Sequence, residues 1–186
     1  LADALAGLDA ALAAGFDRVK VNCVVVGGVN EDGLADVAAL ARGHDIDVRF
    51  IELMPIGECA GWPRQRFVAA DAALAGVLAG AEPLGTQGVA ELWRPSGWRG
   101  RVGLIRPMSH RFCGACDRVR VTADGRMKPC LHSADEVDLR GLSGRALERA
   151  IVEAVRLKPG HHDMYEGDDG PGRVSGSVRG MNRIGG

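Results

Sequence analysis

The sequence is poor in aromatic residues and contains no long apolar run. Only 8 of its 186 residues are Phe, Trp or Tyr, which weakens the hypothesis of a nucleic-acid-binding domain. No apolar stretch approaches the roughly 18 residues of a membrane span, and no secretory signal opens the sequence. We therefore expect no membrane partner, no nucleic-acid partner and a cytoplasmic location.

Lysine is also scarce, because 20 of the 23 basic residues are Arg. Codon bias explains that ratio as well as any phosphate-binding role does. The net charge of −1 hides an uneven distribution, since residues 1–93 carry −7, residues 94–128 carry +7 and residues 129–186 carry −1. This uneven distribution argues against a featureless surface.

The first half of the sequence has the pattern of βα units with a parallel sheet. We predict helices over 1–15, 30–43 and 69–80, and strands over 19–26 and 48–54, the first strand being buried on both faces. Asn30 is a candidate cap for the second helix. Two strands do not make a covered parallel sheet, so an N-terminal segment or a partner must complete it. Because the sequence begins at Leu1, inside a predicted helix, we expect the chain to be either a fragment or a processed chain.

After Pro83 the pattern changes to hairpins. One hairpin is predicted from 89–93 and 101–106, and a second from 118–122 and 126–129 around an Asp-Gly turn. A helix follows over 142–157, and the Gly-rich residues after it have no core of their own. These features divide the chain into residues 1–82, 83–158 and 159–186.

Three of the five cysteines form a C-x2-C-x13-C arrangement, Cys113, Cys116 and Cys130. Without a secretion signal, this spacing favours metal binding over a disulfide. A zinc site would need a fourth ligand, such as His132 or His110, whereas an iron–sulfur cluster on three cysteines would keep one iron open. The spacing alone leaves both alternatives open.

Basic residues next to these cysteines are candidates for phosphate binding. Arg118 and Arg120 lie two apart on a predicted strand and would project to the same side. In the first half, Lys20 lies on one side of its strand, where it would be costly to bury without an anion. Glu52 and Met54 lie at the end of the second strand, where ligands bind parallel sheets.

Several segments resemble one known family. The carrying segments are Ser-His-Arg-Phe-Cys-Gly-Ala-Cys-Asp-Arg-Val-Arg-Val-Thr-Ala-Asp-Gly-Arg-Met-Lys-Pro-Cys-Leu at 109–131, Lys-Val-Asn at 20–22, Arg-Phe-Ile-Glu-Leu-Met-Pro-Ile-Gly at 49–57 and Gly-Gly at 185–186. They are similar to the GTP 3',8-cyclase (MoaA) family of radical S-adenosylmethionine enzymes in molybdenum cofactor biosynthesis. The resemblance implies an α/β fold, the last strands and helices of an incomplete (βα)6 radical SAM barrel, followed by an α+β C-terminal cluster-binding region.

The resemblance also implies the roles of individual residues. Cys113, Cys116 and Cys130 would hold a 4Fe–4S cluster whose open iron contacts the guanine of GTP. The residues in contact with GTP would be Lys20, Arg118, Val119 and Arg120, and those in contact with S-adenosylmethionine would be Met54 and Arg49. The terminal tail, Gly185 and Gly186, would enter the active site.

The implied activity is that of a lyase converting GTP to (8S)-3',8-cyclo-7,8-dihydroguanosine 5'-triphosphate, the first step of molybdopterin biosynthesis. S-adenosylmethionine and a second 4Fe–4S cluster are expected in the full-length enzyme. The family's C-x3-C-x2-C motif is absent from these residues, so we predict that the chain alone is inactive and needs the missing N-terminal barrel half. Further expected partners are cyclic pyranopterin monophosphate synthase downstream and a second copy in a homodimer.

One departure from the family is Asp117, which stands where Asn is usual and would change the polarity near the cluster. Two alternatives from other classes remain, a structural zinc-binding module and a basic nucleic-acid-binding domain on residues 94–128.

Overall fold

A five-stranded mixed sheet organises the first of the two units into which the chain divides. The computed structural model describes residues 1–162, 164 and 179–184. The first unit comprises Leu1–Leu53 and Gln65–Ser109, and the second comprises Met54–Arg64 and the described part of 110–186. The elements of the first unit are α1 (Ala2–Ala13), β1 (Val19–Val25), α2 (Leu34–Gly43), β2 (Ile46–Glu52), α3 (Ala70–Ala73), α4 (Ala75–Leu78), β3 (Glu82–Gln87), β4 (Ala90–Arg94) and β5 (Arg101–Ile105).

The strands of this sheet follow the order β1-β2-β5-β4-β3. β1, β2 and β5 are parallel, and β4 pairs antiparallel with both β5 and β3. Both predicted strands and the predicted hairpin of β4 and β5 are confirmed. The hairpin extends the same sheet, so the division of the structure does not coincide with the boundary predicted after residue 82. Strand order depends on long-range pairing, which local sequence does not encode.

One face of the sheet carries the hydrophobic core of this unit. Alternate residues of β1, β2 and β5 pack there with α2 and α3. The buried members of the cluster are Val25, Leu34, Ala38, Ala41, Ile46, Val48, Phe50, Ala70, Leu74, Val102 and Leu104.

Three local predictions for this unit are wrong. β1 is not buried on both faces, because it lies at the sheet edge and Lys20 is exposed. The helix predicted over 69–80 is two short helices, α3 and α4. Asn30 does not cap the second helix. Its side-chain amide instead accepts a hydrogen bond from Val26 N at 2.9 Å and donates one to Val24 O at 2.8 Å, at the end of β1.

The turn between β4 and β5 requires a glycine where it meets the end of α2. A Cβ atom on Gly100 would lie 2.4 Å from Ile46 O, 2.5 Å from His44 O and 2.9 Å from Ala41 O. Gly100 N also donates to Ala41 O at 2.9 Å. Backbone thus packs directly on backbone at this point, and β5 enters the sheet beside β2.

The second unit contains a small antiparallel sheet and one long helix. Its elements are β6 (Arg120–Val121), β7 (Arg126–Lys128), β8 (Val137–Asp138) and α5 (Gly144–Arg156), with strand order β6-β7-β8. The predicted Asp-Gly hairpin is confirmed, with Gly125 at φ +75° and Thr122 N donating to Arg126 O at 2.8 Å. β6 is shorter than predicted and begins at Arg120.

The described residues therefore form a mixed α/β structure with one mixed and one antiparallel sheet. None of the helices in the described residues is long and apolar enough to cross a membrane.

Candidate metal centre

Cys113 and Cys116 lie at the two ends of one tight turn. A single turn of 3-10 helix spans Cys113–Ala115, and Cys116 N donates to Cys113 O at 3.1 Å. Both side chains are half-buried. The spacing of two intervening residues thus forms the turn that the sequence predicts for two thiols serving one centre.

Lys158, just beyond the end of α5, joins this turn to the segment that carries Cys130. Its Nζ donates to Cys116 Sγ at 3.5 Å, to Arg118 O at 2.7 Å and to Pro129 O at 3.2 Å. Pro129 directly precedes Cys130. The ammonium group therefore holds the two arms of the cysteine motif, which the β6–β7 hairpin separates in sequence.

All five cysteines are free thiols, which agrees with metal binding and excludes a disulfide among them. Burial raises the pKa of Cys23 and of Cys59, the latter also through the neighbouring Glu58, so both favour the protonated form. Cys23 packs against the core of the first unit, as its position in a strand predicts. The 113–130 motif therefore stays the predicted metal site.

The geometry does not favour the zinc alternative. Ligands of one zinc ion all lie within about 2.0–2.3 Å of it, and no three His, Cys, Asp or Glu side chains in the described residues are grouped closely enough to hold one ion. His132, a predicted fourth ligand, packs against His162 with ring centroids 4.9 Å apart. Burial, His162 and Arg120 lower the pKa of His132 to about 4. His110, the other candidate, is exposed.

A cluster makes a different demand on the same three thiols, because each cysteine binds a different iron atom. The thiols then need not converge on one point. Three free, half-buried thiols on a turn and a neighbouring strand end, next to an ammonium group, fit such a group by donor type and charge.

Arg118, Val119 and Arg120 follow the cysteine pair and line an open pocket of about 520 Å³ together with Asp117 and Val121. Burial and the neighbouring charge of Arg118 lower the pKa of Arg120, while Cys116 acts in the opposite direction. The two guanidinium groups are thus close enough to repel each other. Arg118 precedes β6, so the two residues do not share a strand as predicted, but both line the same pocket.

Lys20 and Arg49 share the face of the five-stranded sheet opposite its core. The register aligns Lys20 with Asp47 and Asn22 with Arg49. Arg49 donates to Asp47 Oδ2 at 2.8 Å and to Gln87 Oε1 at 3.2 Å. The structure therefore brings a predicted GTP residue and a predicted S-adenosylmethionine residue onto one polar face.

Glu52, at the end of β2, has a structural role. Its carboxylate is buried and accepts hydrogen bonds from Ala70 N at 3.3 Å, Met108 N at 3.0 Å and Ser109 N at 2.8 Å, and from the Ser109 hydroxyl. All its acceptor capacity is used within the first unit. Met54 is half-buried and belongs to the second unit.

The predicted tail residues Gly185 and Gly186 lie outside the described residues. The segment before them is fixed, since Arg179 donates to Asp124 Oδ2 at 2.8 Å and to Glu136 Oε1 at 2.6 Å. Ile184 is fully buried. The described segment 179–184 therefore packs on the second unit up to the residue before Gly185.

Comparison with known proteins decides the family. Residues 46–164 match the model of the Molybdenum Cofactor Synthesis C family. The chain belongs to this family.

Curated relatives of the family match along the whole chain. It is 42% identical over 191 residues to a GTP 3',8-cyclase of Alkaliphilus metalliredigens, covering 100% of this chain and 58% of the relative. For the GTP 3',8-cyclase of Heliobacterium modesticaldum the identity is 43% over 195 residues, with 99% and 58% covered. The Pseudomonas syringae pv. syringae protein of that name is 40% identical over 194 residues, with 98% and 57% covered. The chain thus spans slightly more than half the length of these relatives.

Two features of this Molybdenum Cofactor Synthesis C chain escape sequence reasoning. Lys158 lies 28 residues beyond Cys130, and its sole local signal is that it is one of three lysines in an Arg-rich chain. Arg179 lies in a Gly-rich stretch whose composition is typical of a loop. Both contacts depend on packing between distant segments, which neither spacing nor periodicity reports.

Proposed function

We propose that this chain is the C-terminal part of a GTP 3',8-cyclase, a lyase that converts GTP to (8S)-3',8-cyclo-7,8-dihydroguanosine 5'-triphosphate in molybdopterin biosynthesis. Within it, Cys113, Cys116 and Cys130 hold a 4Fe–4S cluster. The observation that carries this proposal is the meeting of the two arms of the cysteine motif at Lys158. The names of the curated relatives support the reaction.

Cys113, Cys116 and Cys130 would hold the proposed cluster through three thiolates, and the bound cluster would offer an iron without a protein ligand to the guanine of GTP. The chain's own residues then bind and orient the nucleotide. Arg118 and Arg120 flank Val119 at the pocket beside the cysteines, and their guanidinium groups bind phosphate oxygens as charged forks.

Lys20 adds a further positive charge for GTP on the polar face of the sheet. On the same face, Asp47 accepts from Arg49 and, at 2.7 Å, from Arg101 Nε. Because two arginines share one carboxylate, the group formed by Asp47, Arg49 and Arg101 has a net positive charge. Such a charge suits an anionic or carboxylate-bearing ligand. Arg49, together with Met54, is proposed to contact S-adenosylmethionine.

The remaining part of the reaction requires residues outside this chain. β1 lies at the end of the sheet and pairs only with β2 in the described residues. We propose that the N-terminal barrel half, with S-adenosylmethionine and its own 4Fe–4S cluster, extends the sheet from this edge. The Gly185-Gly186 tail, the homodimer and the downstream cyclic pyranopterin monophosphate synthase stay predictions.

The nucleotide role is tested by GTP binding to the anaerobically reconstituted chain, measured by equilibrium dialysis. Loss of a charged hydrogen-bonding group costs about 1.5–3 kcal/mol, so Arg118→Ala and Arg120→Ala should each weaken GTP binding by about 10–100-fold. Arg145→Ala, which removes an exposed arginine from the first turn of α5, is the matched control. Unchanged GTP affinity in both test variants would contradict the phosphate role.

A further inference from the structure

Lys158 uses its whole hydrogen-bonding capacity on the cysteine motif. An ammonium group has three donors, and its three acceptors here are the Cys116 sulfur and the carbonyl oxygens of Arg118 and Pro129, at 3.5, 2.7 and 3.2 Å. The side chain is half-buried. Such a group is held in one place, unlike a solvated surface lysine.

These three acceptors come from the two segments on either side of the β6–β7 hairpin. Arg118 follows the Cys113–Cys116 turn, whereas Pro129 follows β7 and precedes Cys130. The hairpin between them has only two residues in β6, and its ladder pairs Arg120 with Lys128 and Val121 with Met127. The ladder thus ends before the cysteines on both sides, and Lys158 bridges the ends beyond it.

The position also places a positive charge against one of the three sulfurs. The reduction potential of an iron–sulfur cluster depends on net charge and on hydrogen bonds to its sulfurs, so a neighbouring cation favours the reduced state. Lysine suits this place because its charge is compact and its three donors point in different directions.

We propose that Lys158 is a positioning residue of the cysteine site, which braces its two arms and places one positive charge at Cys116. This inference rests on the proposed function, since it assigns Lys158 a role toward the cluster that Cys113, Cys116 and Cys130 would hold. Lys158 acts through the cysteines and is not assigned a contact with substrate.

Lys158→Met tests this role in the anaerobically reconstituted 186-residue chain. Loss of groups that orient metal ligands typically costs 10–100-fold in metal affinity, so iron release to a chelator should be about 10–100-fold faster than in the wild type. The midpoint potential, followed by electron paramagnetic resonance during redox titration, should shift to a more negative value. Lys158→Arg keeps the charge but not the geometry of the three hydrogen bonds. Its midpoint potential should therefore equal that of the wild type, whereas its iron release should be slower than in Lys158→Met but faster than in the wild type.

Arg156→Met is the matched control, because it removes an exposed positive charge two residues away on the same helix end. It should behave as the wild type in both measurements. Circular dichroism of the iron-free chains separates a local effect from unfolding. If Lys158→Met does not fold, the test rests on the iron-release rate of Lys158→Arg, which should be faster than that of the wild type.

The outcomes separate this inference from the function on which it rests. If the wild type takes up no iron, the proposed function fails. If the wild type binds a cluster but folded Lys158→Met has the same release rate and the same midpoint potential, the role of Lys158 is overturned and the cluster assignment stands.

Discussion

Asp47 is the residue on which the polar face of the sheet depends. Its side chain is only 1% exposed and accepts from both Arg49 and Arg101, at 2.8 and 2.6 Å. Desolvating a carboxylate is costly, and only paired cations and hydrogen bonds offset that cost. Because Arg49 is itself buried, removing the carboxylate would leave a buried cation without compensation.

We therefore expect Asp47→Ala to lower the free energy of unfolding of the first unit by about 3–5 kcal/mol. Urea denaturation checks this, followed by fluorescence of Trp93 and Trp98, which pack against that core. Asp45→Ala removes an exposed carboxylate two residues earlier and should change stability by less than about 0.5 kcal/mol. Equal effects of the two substitutions would show that the buried ion pair does not stabilise the sheet.

Single residues of the candidate site show what the sequence can predict and what it cannot. The turn at Cys113 and Cys116 was predictable, because the spacing of two intervening residues acts locally, whereas the metal role of the three cysteines stays a prediction. The contact of Lys158 was not predictable, because it joins the end of α5 to a turn 42 residues earlier in the chain. Spacing predicts which side chains form a turn, but not which distant side chain packs against it.

At the scale of elements, the segment before the C-terminal glycines is fixed on the small antiparallel sheet. Arg179 reaches Asp124 in the β6–β7 turn and Glu136 just before β8. The hydrogen bond from Arg179, and next that of Thr122, lower the pKa of Asp124 to about 2. Gly180 also packs closely on Gly57, where a Cβ atom would lie 2.7 Å from the Gly180 Cα.

This anchor predicts a pH dependence of known sign. Because the pKa of Asp124 is lower in the folded than in the unfolded chain, the contact stabilises the fold above about pH 4. That stabilisation is lost as the pH falls toward 2. In Arg179→Gln the pKa of Asp124 should rise toward 3.8, the ordinary value, without reaching it, because the hydrogen bond with Thr122 remains.

Carboxyl ¹³C NMR titration measures this pKa directly. Arg183→Gln, at an exposed arginine of the same terminal turn, should leave the pKa of Asp124 unchanged. An Asp124 pKa that is the same in Arg179→Gln and in the wild type would show that Arg179 does not hold the segment.

The elements also show what the pattern of the sequence could predict. β1, β2 and both hairpins were predictable, because β-branched runs and an Asp-Gly turn act locally. The joining of β5 to β2 was not, since it depends on the close backbone packing at Gly100. The exposure of β1 follows from its position at the sheet edge, which only the strand order reveals.

At the scale of the whole molecule, ion pairs within the fold explain part of the positive charge of the basic stretch 94–128. Within the basic stretch, Arg101 binds the buried Asp47, and Arg106 binds Asp71 and Glu91. Lys128 is buried with Glu136. These cations serve the fold, so the number of basic residues overstates the charge offered to a ligand.

Two further arginines of the basic stretch lie next to the cysteines. Arg118 is exposed and Arg120 is half-buried at the same pocket. We propose that this part of the basic stretch, which adjoins the proposed cluster, binds the triphosphate.

Iron and sulfide analysis with Mössbauer spectroscopy on the anaerobically reconstituted chain decides whether Cys113, Cys116 and Cys130 hold a cluster that receives GTP. We expect about four iron and four sulfide per chain, with the signal of one iron changing when GTP is added. One colourless zinc per chain, or a cluster whose spectrum is the same with and without GTP, would contradict this expectation.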